Sequence, residues 1–176
     1  MLDIGANTGA QTSPSISATR ASRAAPALVT RQARAGDLDA LLRLEKSFPT
    51  DRLTAADFLA EIARREPNLI VAARHGCIVG YALGKPNRRT RSMRLYSLVT
   101  APSQRRMGIG GALLSALERR AIETGFRSVH LEVRDDNAVA ESFYRRRGYE
   151  RFGAYYRFYE DGRKAARLRK VVYADA

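Results

Sequence analysis

The stretch QRRMGIGGALL (104–114) sets Arg105, Arg106 and Met107 ahead of Gly108, Ile109, Gly110 and Gly111, at the head of an apolar run with helical spacing. A helix start leaves about four backbone N–H groups without partners. These groups, with the positive end of the helix dipole, favour an anion. Glycine admits close approach to the backbone and dihedrals closed to other residues. With the added arginine charge, the stretch reads as an anion cradle. A second group able to do chemistry lies in RSVHLEVR (127–134). Its alternation sets Val129, Leu131 and Val133 on one face of a strand and His130, Glu132 and Arg134 on the other. A glutamate at mid-strand needs explaining where helices cover both sheet faces. Either it serves a site or that face is open to water. Tyr144, in ESFYRRRGYE (141–150), reads by pattern alone as core packing from a short helix. Asn137 reads equally as a helix N-cap or as a first-turn residue.

The elements that must position these residues alternate along the chain. ALVTRQAR (27–34) reads as a first strand, and DLDALLRLEKSF (37–48) as a helix that ends at Phe48-Pro49. TAADFLAEIARR (54–65) reads as a second helix with Thr54 as N-cap. NLIVAAR (68–74) and CIVGYALGK (77–85) form a hairpin about His75-Gly76. A charged loop (87–92) leads to the strand MRLYSLVTA (93–101), and a long helix covers 108–124. The strand at 127–134 and a short helix at 137–147 follow, and a strand pair about the turn EDGRK closes the chain. This order is that of an α/β or α+β sandwich. Residues 1–26 are rich in Ala, Ser and Thr without periodicity and read as a disordered tail, leaving one domain over 27–176. The tail has a faint transit-peptide character but no secretory h-region.

Of the 176 residues, 31 are basic and 18 acidic, a net charge of +13. Arginine supplies most of the basic residues, as GC-rich coding would; the net charge itself favours anionic partners. No apolar run approaches the roughly 20 residues of a membrane span. A single cysteine, Cys77, excludes an internal disulfide and reads as a packing residue of a buried strand.

Three phosphate-binding patterns were tested against the glycines. No Walker A string is present, and a dinucleotide fingerprint fails because Leu113 stands where its third glycine belongs. The remaining pattern, Arg105-x-x-Gly108-x-Gly110 between a strand and a helix, resembles the acetyl-coenzyme A pyrophosphate loop of the GNAT superfamily of N-acetyltransferases, and the order of elements resembles that superfamily from about residue 27 onward. The resemblance implies a mixed, mostly antiparallel sheet of about seven strands, splayed between the fourth and fifth and flanked by about four helices. It implies acetyl-CoA as cosubstrate without a metal. The backbone of residues 105–111 would hold the pyrophosphate, Leu98, Val99 and Thr100 would pair with the pantetheine arm, and Asn137 would touch the cofactor. LEVR…N…FY and the hairpin YYRFYEDGRKAARLRK also resemble the ribosomal-protein alanine N-acetyltransferase branch. That likeness implies Glu132 as base, Tyr144 as acid to the leaving sulfur, and a protein N-terminus, such as that of a ribosomal protein, as acceptor in the cytoplasm. The hairpin departs from the branch in being longer and more basic.

The rim of the acceptor site is expected from 47–58 and 154–164, where Asp51, Asp57, Glu160 and Asp161 stand beside Arg52, Arg157, Arg163 and Lys164, and Tyr155, Tyr156 and Tyr159 offer an aromatic wall. Such scattered acids do not suit a polyamine. Lysine or small-amine acetylation is the nearest alternative within the class. From another class, the clusters Arg88-Arg89, Arg145 to Arg147 and Arg163-Lys164 would suit an RNA- or ribosome-binding module, but no RRM-type aromatic signature accompanies them, and neither nucleic acid as substrate nor a membrane partner is expected.

Overall fold

The computed structural model describes residues 28–47 and 52–173. The expected tail at 1–26 and the expected helix stop at Phe48-Pro49 lie outside the described residues. Seven strands form one sheet in the order β1-β2-β3-β4-β5-β7-β6. The first four, β1 (Val29–Gln32), β2 (Leu69–Arg74), β3 (Cys77–Asn87) and β4 (Ser92–Thr100), pair antiparallel with their neighbours. The last three, β5 (Ser128–Arg134), β6 (Glu150–Tyr155) and β7 (Ala165–Val171), form the second half. The hairpin between β2 and β3 turns at His75-Gly76, both at positive φ (51° and 76°), as a two-residue turn of this kind requires.

The two halves meet through one short parallel ladder. β4 and β5 pair only at Ser92↔Ser128, Met93↔Val129 and Arg94↔His130. Beyond that row, Leu95–Thr100 and Leu131–Arg134 diverge, and the sheet is splayed where the family resemblance implied. Tyr96 contributes to this shape. It is an extra residue on β4 between the pairs Leu83↔Ser97 and Gly84↔Leu95, a bulge that bends the strand as it leaves β5.

Among the described residues, four α-helices cover the sheet unevenly. α3 (Ile109–Glu123) buries Ile109, Leu113, Leu114 and Leu117 against Ile70, Ala82, Met93, Val129 and Leu131. α4 (Ala138–Arg145) adds Ala140, Phe143 and Tyr144 to the same layer. On the other face, α1 (Leu38–Glu45) and α2 (Ala55–Ile62) bury Leu41, Leu44 and Phe58 against Leu69, Val71, Tyr81 and Leu83. α2 starts on a capping box that satisfies two backbone N–H groups, Asp57 N–H donating to Thr54 Oγ1 and Thr54 N–H to Asp57 Oδ2. No helix among the described residues packs on the α1–α2 face of β5, β7 and β6. Cys77 departs from its expected packing role. It opens β3 beside the hairpin turn and is exposed, because the buried part of the strand begins only at Val79.

Candidate functional site

The glycine stretch builds one wall of a cleft of about 760 Å³. Arg106 (φ 62°) and Gly108 (φ 78°) both take left-handed backbone, which turns the chain sharply into α3. No side chain caps the helix at Gly108, and its first intrahelical bond runs from Ala112 N–H to the Gly108 carbonyl. The N–H groups of Ile109, Gly110 and Gly111 therefore remain available to a ligand. A Cβ at Gly110 would stand 3.5 Å from the Phe143 ring, an ordinary contact, so the free fold does not itself demand glycine there. A ligand lying against the backbone would.

Leu98, Val99, Thr100, Arg105, Arg106, Gly108, Ile109, Gly110 and Gly111 all line this cleft. Two predicted residues stand outside its lining. Met107 is half exposed, with its sulfur 3.4 Å from an Arg74 nitrogen. Asn137 caps α4, its Oδ1 accepting from Ala140 N–H at 3.0 Å. The opposite wall comes from Phe143, Arg146 and Arg147 of the α4 region, the two arginines belonging to the cluster that the sequence offered to an RNA- or ribosome-binding module. The Arg147 guanidinium lies over the Phe143 ring at 3.8 Å and against Gly111, where a Cβ would meet its Nη2 at 2.6 Å. The spacing Phe143, Arg146, Arg147 is that of one helix face and was the available signal. An open helix N-terminus, four lining arginines and a strand edge left unpaired by the splay suit an elongated ligand with a phosphorylated end.

Tyr144 sits beside Phe143, the rings 5.0 Å apart and edge to face, and meets Tyr149 at 5.7 Å. Its hydroxyl makes no hydrogen bond among the described residues. Burial pushes its pKa up to about 12, against an opposing pull from Arg147. The phenol is therefore a proton donor at ordinary pH.

Glu132 points to the other side of β5. Val129, Leu131 and Val133 are buried under α3, and the alternate face carries His130, Glu132 and Arg134, as the pattern predicted. The side chain is only 6 % exposed, so this glutamate is not there to meet water. Arg94 Nε donates to its Oε2 at 2.7 Å, while Arg167 Nε lies 3.9 Å from Oε1. Oε2 is thus held and Oε1 is the freer oxygen. Arg94 was missed at the sequence level, although the alternation in MRLYS (93–97) put it on the polar face of β4. Beside Glu132 opens a second hollow of about 690 Å³, lined by Arg52, Leu53, Asp57, Lys85, Arg94, Tyr96, Phe158, Tyr159 and Glu160. Its rim combines the two segments expected to form it. Asp51 lies outside the described residues. Of the three tyrosines named for the wall only Tyr159 lines it; Tyr155 stacks on Phe158 at 5.5 Å, and Tyr156 is 74 % exposed.

A further polar group sits beneath these clefts. Glu45, buried at the end of α1, accepts hydrogen bonds from the Tyr81 hydroxyl and from Leu53 N–H (2.7 Å), and Tyr81 Oη lies 3.0 Å from Ser97 Oγ. It ties the segment after α1 to the bulged stretch of β4.

The profile of the acetyltransferase (GNAT) family matches residues 37–149. An uncharacterised N-acetyltransferase of Methanocaldococcus jannaschii is 33% identical over 141 residues, 78% of this chain and 88% of that protein. The structure of Ard1 from Thermoplasma volcanium is 28% identical with a TM-score of 0.73, covering 82% of this chain and 97% of that one. The ribosomal-protein-alanine N-acetyltransferase from Brucella melitensis is 25% identical with a TM-score of 0.72, covering 82% of this chain and 99% of that one.

Proposed function

The chain belongs to the acetyltransferase (GNAT) family, and on that premise we propose that its acceptor is the N-terminal α-amine of a polypeptide, a ribosomal protein being one candidate, acetylated in the cytoplasm by direct transfer. The protein is an acetyl-CoA-dependent N-acetyltransferase. Bound acetyl-CoA supplies an acetyl group activated as a thioester. Its pyrophosphate suits the free N–H groups of Ile109 to Gly111, with Arg105, Arg106, Arg146 and Arg147 adding charge. The unpaired edge of β4 from Leu98 to Thr100 offers backbone groups to the arm as an added strand would.

One observation carries the reading: the splay separates β4 from β5 with an anion cleft on one face and a carboxylate beside a second hollow on the other. Glu132 accepts the amine proton through its freer oxygen, by way of water. Tyr144, protonated and beside the cleft wall, donates to the departing sulfur. A backbone N–H near Leu98 and Val99 polarises the thioester carbonyl. The α-amine suits a single carboxylate base, since its unperturbed pKa is about 7.7–8.0 against ~10.4 for lysine. The likeness to the ribosomal-protein-alanine N-acetyltransferase from Brucella melitensis supports the choice.

The test compares thiol release from acetyl-CoA with three acceptors: a lysine-free peptide with a free N-terminus, an N-terminally blocked peptide with one lysine, and spermidine. The free N-terminus should be fastest. Faster turnover of the blocked peptide would make the enzyme a lysine acetyltransferase, and preference for spermidine would remove the polypeptide reading.

A further inference from the structure

Among the described residues, the α1–α2 face of β5 and β7 carries no helix and is crowded with arginine. Register places Arg94, His130 and Arg169 in one row across β4, β5 and β7, and Glu132 beside Arg167 in the next. Residues opposite one another in neighbouring strands share a face. Phe152 of β6 lies beneath both Arg167 and Arg169, 4.4 and 5.1 Å from the guanidinium carbons, so the patch continues across the sheet. Only Glu132 offsets it among the charged groups of β5 on this face, since Arg134 is taken by Asp136 and Asp161.

The free charge lies at one end. Arg169 and Arg127 are exposed, form no ion pair among the described residues, and line a hollow of about 520 Å³ with Ser128, Val171 and Tyr173. Glu150 faces Arg169 in register without pairing with it. Arg167 Nε–H is buried and has no hydrogen-bond partner among the described residues. Burial, aided by Arg167, Arg94 and Arg169 against the pull of Glu132, holds His130 below its usual pKa, so the charge of the row is carried by Arg94 and Arg169. The Arg94–His130–Arg169 row joins this hollow to the one beside Glu132, because Arg94 lines the latter.

We propose that this face docks an acidic stretch of the acceptor polypeptide, Arg169 and Arg127 taking a carboxylate that follows the reacting amine. The inference rests on the reading of the acceptor as a polypeptide N-terminus. From Glu132 to Arg169 is two residues along the strand and one strand across, roughly 8 Å. An extended chain advances about 3.3–3.6 Å per residue, so the acid falls about two to four residues after the amine. Nucleic acid is the other polyanion such a face would attract. A polypeptide is favoured because the patch runs continuously to the catalytic carboxylate.

The experiment measures kcat/KM with the full chain on three matched lysine-free peptides that share a free N-terminal alanine and carry Glu, Gln or Arg at positions 3 and 4. The acidic peptide should exceed the arginine peptide by about tenfold at low salt, a gap that narrows as salt is raised. Arg169→Gln should reduce that preference, and Arg169→Glu should reverse it toward the arginine peptide, both at unchanged KM for acetyl-CoA and unchanged Tm. Equal use of the three peptides would overturn the docking proposal and leave the N-terminal reading intact. Failure of all three beside turnover of a blocked lysine peptide would remove both. An Arg169→Gln variant that loses affinity for single-stranded RNA while keeping wild-type peptide preference would assign the face to nucleic acid instead.

Discussion

Glu132 and Tyr144 lie on opposite faces of the sheet, and in the proposed mechanism the splay between β4 and β5 is the passage through which they serve one reaction. A missing general acid or base costs about 10²–10⁴-fold in rate. Glu132→Gln should lower kcat by that order at pH 7 and recover in part at high pH, where the α-amine is already neutral. Tyr144→Phe should lower kcat with the affinity for acetyl-CoA unchanged. Burial sets the sign of the pH dependence. With its pKa pushed up to about 12, folded Tyr144 keeps its proton where an unfolded tyrosine, near 10, would lose it. The stabilisation is complete below about pH 10 and is lost as pH rises through about 12. The wild-type rate should therefore show no alkaline limb near pH 10 from this group. A rate profile falling there in the wild type but not in Tyr144→Phe would show that the phenol ionises at its ordinary pH. Near-normal turnover of both variants would take the roles from these residues while leaving the family assignment untouched.

At the level of elements, two glycines separate ligand binding from folding. Gly110 opens α3 and has room for a methyl group in the free protein, whereas a Cβ at Gly80 of β3 would come within 2.6 Å of the Val99 carbonyl and 3.1 Å of Leu113. Gly110→Ala should keep its Tm and weaken acetyl-CoA binding more than tenfold by calorimetry, about 1.4 kcal/mol. Gly80→Ala should do the reverse. Forcing β3 and β4 apart under α3 costs about 1–3 kcal/mol, read as a lower Tm, before any change in ligand contacts. Unchanged affinity in a folded Gly110→Ala variant would displace the pyrophosphate from this helix start. The segment after α1 is secured differently, by the Glu45 carboxylate reaching both Leu53 and Tyr81, so the rim of the hollow beside Glu132 is tied to the buried centre of β3.

Among the described residues, two apolar cores draw on Leu28 through Val172, and the sequence of residues 1–26 carries no core periodicity. We propose that residues 1–26 are dispensable for catalysis, and a chain beginning at Ala27 should retain activity and Tm. A large loss of either would show that the segment docks on the domain. The net charge of +13 is unevenly used. Arg105, Arg106, Arg146 and Arg147 gather at one cleft, while Arg94, Arg167 and Arg169 gather on the face opposite α3.

Local pattern was enough to read the order of elements, the hairpin at His75-Gly76, the cap at Thr54 and the glycine-led start of α3, because each depends on residues close together in the chain. The alternation in β5 also revealed that Glu132 opposes the buried face. Tertiary structure decided what local pattern does not contain. Arg94 meets Glu132 only because β4 and β5 run parallel for three residues, and Arg147 reaches Gly111 only because α4 packs at the head of α3. Cys77 shows the limit from the other side: its strand is buried, but its own place at the edge of a turn is not. Asn137 was legible as an N-cap or first-turn residue, its contact with the cofactor being implied only by the resemblance, and the fold shows the cap, a bond between residues three apart. Short-range hydrogen bonds and periodicity are written along the chain. Contacts between distant segments depend on how strands pair and helices pack, which local spacing alone does not specify.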